Sequence, residues 1–289
     1  MSGIIWGLLA AVFIGVSDAV ARSTTQKVSI SILILAVMGL STLGLSVLFI
    51  FTDDWPRWHA YAWALSAASG ALNLVALIFL YKALERGPVA VASPAASSFT
   101  VMLVAMNALT GQPFSLTQGL AVALVFGGVI MLSRPSKNPA SEPNYDAAWL
   151  RTTALLGLAT AFTVSLRMFF AQEASAELGP LPALFLNRMF ALISVIILVA
   201  WQLQKGQKLN TPKGKIVTLV FAQATLEVAA LWAFLMGSQG DGRIAASIGF
   251  AAFAAIATIT AWLWLGEKVA PQRWLWIIVI SLGIILASS

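Results

Sequence analysis

The chain is 289 residues long, 60% hydrophobic and only 10% charged, with a mean hydropathy of +0.89. A soluble domain clothes itself with about a quarter charged residues, which argues against a soluble enzyme or a nucleic-acid-binding domain; the net charge of +6 is read instead as basic residues flanking one side of a membrane. The absence of cysteine excludes disulfides, iron–sulfur clusters and thiol chemistry.

Runs of about 20 apolar residues match a hydrocarbon core of roughly 30 Å and lack the alternation of a transmembrane β-barrel. In chain order, ten spans are predicted at 3–21, 29–51, 60–81, 89–110, 116–133, 150–172, 182–203, 215–236, 243–265 and 271–288. Met1–Ala21 has no basic stretch before its apolar run, so it is read as span one rather than a cleaved leader. Asp18 near its end either pairs with Arg22, four residues on, or acts as a gate residue. The loop after span two, TDDWPRWH, holds Asp53 and Asp54, which are solvated or cap span three, and the single histidine, His59. Span three carries Asn73 midway, then Phe79 and Tyr81. Span four is unusually small-sided, with Ser93 and Ser97 among alanines, and Pro94 should remove a backbone bond near Ala90 and bend it. That bend serves either as a gate or as plain packing.

Span five leads into Arg134–Trp149, rich in Pro, Asn and Ser, which reads as a surface linker. Span six carries Phe162 and Arg167, and span seven opens with Asn187 and Arg188. Either arginine can snorkel to the membrane face, pair with Glu173 or Glu177, or hold a substrate carboxylate. Span eight has Glu227 midway and Trp232 beyond it. Span nine, with Phe250 and Phe253, is as small-sided as span four, and GEKVAP turns the chain into span ten.

Residues 71–133 align with 225–288 at an offset of about 154. ALERGPVAVASP (Ala83–Pro94) lies over GSQGDGRIAASI (Gly237–Ile248), and GQPFSLTQGLAVALVFGGVIML (Gly111–Leu132) over GEKVAPQRWLWIIVISLGIILA (Gly266–Ala287). Each half holds five spans, and an odd number inverts the second half relative to the first. The expected architecture is an all-α integral membrane bundle of two inverted five-helix repeats around a central cavity, with repeats at 1–135 and 150–289 and a linker at 136–149. Thirteen of the 17 Lys and Arg residues flank the loops after odd-numbered spans, which puts those loops in the cytoplasm and both termini outside. Tryptophans such as Trp6, Trp149, Trp201 and Trp262 fall near span ends, where an interfacial belt is expected.

A charge in the bilayer core costs about 2.5–3.5 kcal/mol on insertion scales, so each needs a reason. Glu227 and Asn73 fall at equivalent repeat positions near mid-span, where a binding site of this construction would lie. Glu227 can bind a cationic amino group, carry a coupled proton, or fix helix packing as a buried carboxyl. An amphipathic ligand also needs an apolar wall, for which Phe79, Tyr81, Phe162, Trp232, Phe250 and Phe253 are candidates. Asn73, Ser93, Ser97, Asn187 and Glu227 are candidates for polar contact, and Asp18, Pro94, Arg167, Arg188 and Glu227 for gating or coupling. No His/Cys/carboxylate set has metal spacing and no P-loop is present, so catalysis, a metal, a cofactor and ATP are not expected. One chain is enough for a complete cavity, so a functional monomer is expected.

Ten spans in two copies, Trp6-Gly7 in span one, ALERGPVAVASP after span three and Gly266-Glu267 between spans nine and ten resemble the drug/metabolite transporter superfamily, EamA-type. Within it the chain is most similar to the YddG-type bacterial exporters of aromatic and other hydrophobic amino acids. The resemblance covers nearly the whole chain and implies an inner-membrane carrier working by alternating access. The departures are Gly111-Gln112 in place of a first glycine–glutamate turn, and TDDWPRWH where basic residues are common. A drug exporter for lipophilic cations, other metabolites, and a membrane enzyme are the alternatives.

Overall fold

The computed structural model describes residues 3–52, 54–99, 101–103, 106, 116–132, 145–239, 246, 249–250, 252–267 and 269–287. Among them the chain is helical and without strands, as a bilayer requires of a chain that must satisfy its own backbone donors and acceptors. The helices are α1 (Gly3–Thr25), α2 (Ile30–Thr52), α3 (Ala60–Arg86), α4 (Val89–Ser97), α5 (Leu116–Leu132), α6 (Ala147–Leu178), α7 (Pro180–Gln204), α8 (Lys215–Gly237), α9 (Phe253–Leu265) and α10 (Pro271–Ala287). Six of them, α1, α2, α3, α6, α7 and α8, are long and apolar enough to cross a membrane. The chain is a multi-pass membrane protein. At 1.5 Å per residue, α5 and α10, with 17 residues each, reach about 26 Å.

Serine and threonine are tolerated inside these helices because their hydroxyls fold back on the preceding turn: Ser41 onto Val37 O at 2.6 Å, Thr160 onto Leu156 O at 2.8 Å and Thr258 onto Ala254 O at 2.9 Å. Helix ends are chemically marked. His59, not an aspartate, caps α3, its Nδ1 accepting from Ala62 N at 3.4 Å, while Asp54 is exposed. An imidazole immediately before the helix reaches its orphan N–H groups, which Asp54 is too far upstream to do. Between α6 and α7 the chain reverses at Gly179, whose φ of 88° suits glycine, and Pro180 opens α7 without an N–H to orphan.

The helices pack mostly across the two halves of the sequence. α3 lies on α6 and α7, α1 on α8 and α9, α4 on α6 and α9, α2 on α7 and α8, and α5 on α10. Glycines set the closest approaches. A Cβ on Gly157 of α6 would lie 2.5 Å from Ala95 Cβ of α4, and one on Gly70 of α3 would lie 2.6 Å from Phe190 Cβ of α7. In lipid, where there is no hydrophobic drive between helices, such backbone approach is what packing rests on.

Each small-sided span is interrupted once among the described residues. A one-residue turn at Ser98 interrupts the span after α4, and helix resumes at Phe99 and continues at 101–103 and 106 among the described residues. Ala252 forms a turn just before α9, and the described residues ahead of it, 246 and 249–250, are helical. Ser98 and Ala252 are 154 residues apart, the repeat offset. Pro94 lies four residues before the first break and has no N–H to give Ala90 O, which removes one rung. Of the 136–149 linker, residues 136–144 lie outside the described residues, as does the Gly111-Gln112 turn, and the last three linker residues are already the start of α6 at Ala147.

Candidate functional site

A narrow cavity, of about 80 Å³, occupies the centre of the bundle. Its apolar lining comes from Ile14, Leu77, Leu80, Phe99, Val164, Met168, Leu231, Phe250 and Phe253. Four ionisable side chains reach it: Asp18 from α1, Arg167 from α6, Arg188 from α7 and Glu227 from α8, with Asn73 from α3. All four are at most 9% exposed.

Three aromatic rings form one wall. Phe250 is 5.6 Å from Phe99 and 5.4 Å from Phe253, centroid to centroid, and is backed by Phe234 at 5.2 Å. Such pairs add about 0.5–1.5 kcal/mol beyond burial alone.

The polar groups divide into two sets. In the first, Glu227 is fully engaged. Tyr81 donates its hydroxyl to Glu227 Oε1 at 2.7 Å, Gln223 Nε2 approaches the same oxygen at 3.4 Å and Tyr81 OH at 2.5 Å, and Arg188 Nη1 meets Glu227 Oε2 at 3.4 Å. Arg188 also donates to the backbone oxygen of Glu227 at 3.2 Å and meets Met38 Sδ at 3.4 Å. Thr24 of α1 donates to Gln223 Oε1 at 3.2 Å. This network ties α1, α2, α3, α7 and α8 together, and its one negative charge is matched by one positive charge.

In the second set each charge meets only neutral groups. Asp18 Oδ2 accepts from Ser93 Oγ at 2.7 Å, a bond from α1 to α4. Arg167 Nη1 donates to Asn73 Oδ1 at 3.1 Å. Asn187 Nδ2 donates to Ser69 Oγ at 2.7 Å, and Ser69 donates to Arg167 O at 3.0 Å, so α7, α3 and α6 are stitched behind Arg167.

One turn beyond Asp18, at one end of the bundle, lies a second charged contact. Arg22 Nε meets Glu267 Oε1 at 3.0 Å, and Glu267 Oε2 accepts from Val89 N, the first residue of α4, also at 3.0 Å. Arg22 Nη1 also donates to Leu84 O at 2.7 Å and to Glu85 O. The ends of α1, α3 and α9 and the start of α4 are latched there.

Several sequence expectations are corrected. Asp18 does not pair with Arg22, because Arg22 turns to Glu267 and the last carbonyls of α3. Neither arginine snorkels or turns to Glu173 or Glu177: Arg188 is 2% exposed and holds Glu227, and Arg167 holds Asn73. Among the wall candidates Phe250 and Phe253 line the cavity. Tyr81 is buried behind it as a hydrogen-bond donor, Phe79 is half-buried away from it, and Phe162 is 60% exposed on the outer surface. Trp232 packs edge-on to Trp6 at 5.7 Å and borders a separate outer groove with Leu181, Phe221 and Val228. Asn73 and Glu227 line the cavity. Ser93 reaches it only through Asp18, Ser97 donates to Pro94 O at 2.7 Å, and Asn187 supports from behind.

Phe99, Thr160 and Gln223 were not singled out from the sequence. Gln223 is one helical turn before Glu227, a spacing that put it within reach of the same partners. Phe99 and Thr160 carry no sequence signal that separates them from packing residues. Among the described residues no three His, Cys, Asp or Glu side chains come together as a metal site would need.

The EamA-like transporter family matches residues 1–134 and 151–289, nearly the whole chain, and the chain belongs to that family. No curated protein matches it. A solved structure, described only as a crystal structure of a protein, is similar at a TM-score of 0.68 and 15% identity, over 99% of this chain and 96% of that one. At that identity the likeness speaks for the fold alone.

Proposed function

We propose that this EamA-family membrane transporter is a secondary carrier that exports small amphipathic metabolites, foremost aromatic and other large hydrophobic amino acids, across a bacterial inner membrane by alternating access, as the YddG-type exporters do. The observation that carries the reading is the central cavity: an aromatic and aliphatic wall beside Asp18, Asn73, Arg167 and the Arg188–Glu227 pair. An apolar wall selects a hydrophobic side chain, and fixed charges of both signs select a head group that carries both.

The ten-helix, two-repeat construction is supported by the packing. Exchanging α1–α5 for α6–α10 turns the α3–α6 contact into α8–α1, α4–α6 into α9–α1 and α3–α7 into α8–α2, and each of these pairs is in contact. Breaks at Ser98 and Ala252 at the repeat offset agree with it. The Arg22–Glu267–Val89 latch then closes one mouth, on the side that the thirteen basic residues assign to the cytoplasm with both termini outside. Opening of this latch and closure of the opposite mouth would alternate access to one site. A single chain carries the whole cavity and works as a monomer. Asp18, a carboxylate met only by Ser93, favours one second reading, export of lipophilic cations.

Efflux tests the proposal. Cells preloaded with labelled phenylalanine should lose it faster when they make this chain, and a lipophilic cation should not slow the loss. Equal loss with and without the chain would sink the export of hydrophobic amino acids.

A further inference from the structure

Of the two arginines in the cavity, Arg167 is the one that no carboxylate neutralises; Asp18, met only by Ser93, is the cavity's unpaired negative charge. Glu227 and Arg188 neutralise each other, so they leave no charge for a ligand to meet. Arg167 is 9% exposed, lines the cavity and forms no ion pair among the described residues. A guanidinium stays protonated even here, and a lone cation inside a bilayer calls for an anion. The repeat itself explains the deficit: the position that holds Glu227 in one half holds the neutral Asn73 in the other, and it is Asn73 that meets Arg167.

The unused part of the guanidinium is one edge of its fork. Nη1 is taken by Asn73, Nε has no partner, and Nη2 has only the thioether of Met168 at 3.8 Å. Met168 also lines the cavity, and a methionine side chain gives way at little cost. A carboxylate matches the spacing of the Nε and Nη2 donors; a hydroxyl offers a single oxygen, and an ammonium, which only donates, cannot accept from them at all.

We infer that Arg167 is the substrate anchor: once Met168 moves aside, its Nε–Nη2 edge binds a substrate carboxylate side-on, with the hydrophobic part of the substrate against Phe99, Phe250 and Phe253. This deepens the carrier reading above and rests on it. It makes the carboxylate, rather than the ammonium, the group that decides what is accepted.

The test is equilibrium binding of labelled phenylalanine to the purified full-length chain, with three competitors. Unlabelled phenylalanine and 3-phenylpropionate, which lacks the amine, should both displace the label. Phenethylamine, which lacks the carboxylate, should displace it at least tenfold less well. Arg167→Gln should weaken phenylalanine binding tenfold or more, with Arg167→Lys between the two, because lysine keeps the charge and loses the fork. Phenethylamine competing as well as phenylalanine, or Arg167→Gln binding like the parent chain, would overturn the assignment. If the glutamine variant does not fold, the competitor order on the parent chain decides alone. Direct binding of labelled 3-phenylpropionate, lost in Arg167→Gln and weakened in Arg167→Lys, with no binding of phenylalanine, would sink the amino-acid reading and uphold Arg167. Binding of none of the three would overturn both.

Discussion

Neutralising Glu267 should open one mouth of the carrier. Glu267→Gln keeps the side chain's size and one acceptor for Val89 N, but loses the charge that holds Arg22 at 3.0 Å. The two side chains are 12% and 16% exposed, between the surface pairs worth less than about 1 kcal/mol and the buried charged hydrogen bonds worth about 1.5–3 kcal/mol. Arg22 keeps its bonds to Leu84 O and Glu85 O, so the variant should fold and the loss should fall on the closed latch, at about 2 kcal/mol. At about 1.4 kcal/mol per tenfold, that raises the open-to-closed ratio roughly 25-fold. The chain has no cysteine, so Ala96→Cys, on the cavity wall of α4, is a background-free reporter for an impermeant maleimide. In membrane vesicles that present the Arg22 face outward, labelling should be slow in the parent and more than tenfold faster with Glu267→Gln; in vesicles of the opposite sidedness it should slow. Equal labelling of parent and variant in both preparations would refute the latch.

Tyr81→Phe deletes the donor to Glu227 at 2.7 Å and should cost about 1.5–3 kcal/mol, read as a lower unfolding midpoint in detergent; an unchanged midpoint would mean the bond contributes nothing. Glu227→Ala strands buried Arg188 and should cost about 3–5 kcal/mol, whereas Glu227→Gln with Arg188→Met should recover most of it; a double variant as unstable as the single would contradict the pairing. Gly70→Leu drives atoms into Phe190 and the Asn187 backbone and should destabilise by about 1–3 kcal/mol or more, and normal stability would mean that α3 and α7 are farther apart. Phe253→Ala should raise the KM for phenylalanine while Phe162→Ala, on the outer surface, leaves it alone; the reverse order would misplace the cavity wall.

The sequence pointed to the membrane, the helices and the depth of Asn73 and Glu227, because hydropathy and burial of charge are local penalties written into each span. It did not point to which face of a span turns inward. Phe162 and Phe253 read alike along the chain, yet one is exposed on the outer surface and the other lines the cavity, since helices apolar all round carry no stripe to orient them. Asp18 and Arg22 have the spacing of a helical pair, and tertiary contacts overrode it: Ser93 and Glu267, 75 and 245 residues away, took one each. The deficit at Arg167 was equally out of reach, because it depends on which of two candidate arginines Glu227 meets. The break after Pro94 was half legible: proline predicted a bend, but not that a turn at Ser98 would interrupt the helix.

Counterflow in proteoliposomes of the purified chain tests the central claim most directly, because it asks for a carrier and its substrate class without assuming a coupling ion. Vesicles loaded with unlabelled phenylalanine, tryptophan, methionine, threonine, glutamate or a lipophilic cation would face a trace of labelled phenylalanine outside. The account predicts transient accumulation driven by the large hydrophobic amino acids and not by glutamate or the cation. Accumulation driven by the cation alone would transfer the cavity to lipophilic cations, and no accumulation with any load would contradict a carrier for these compounds.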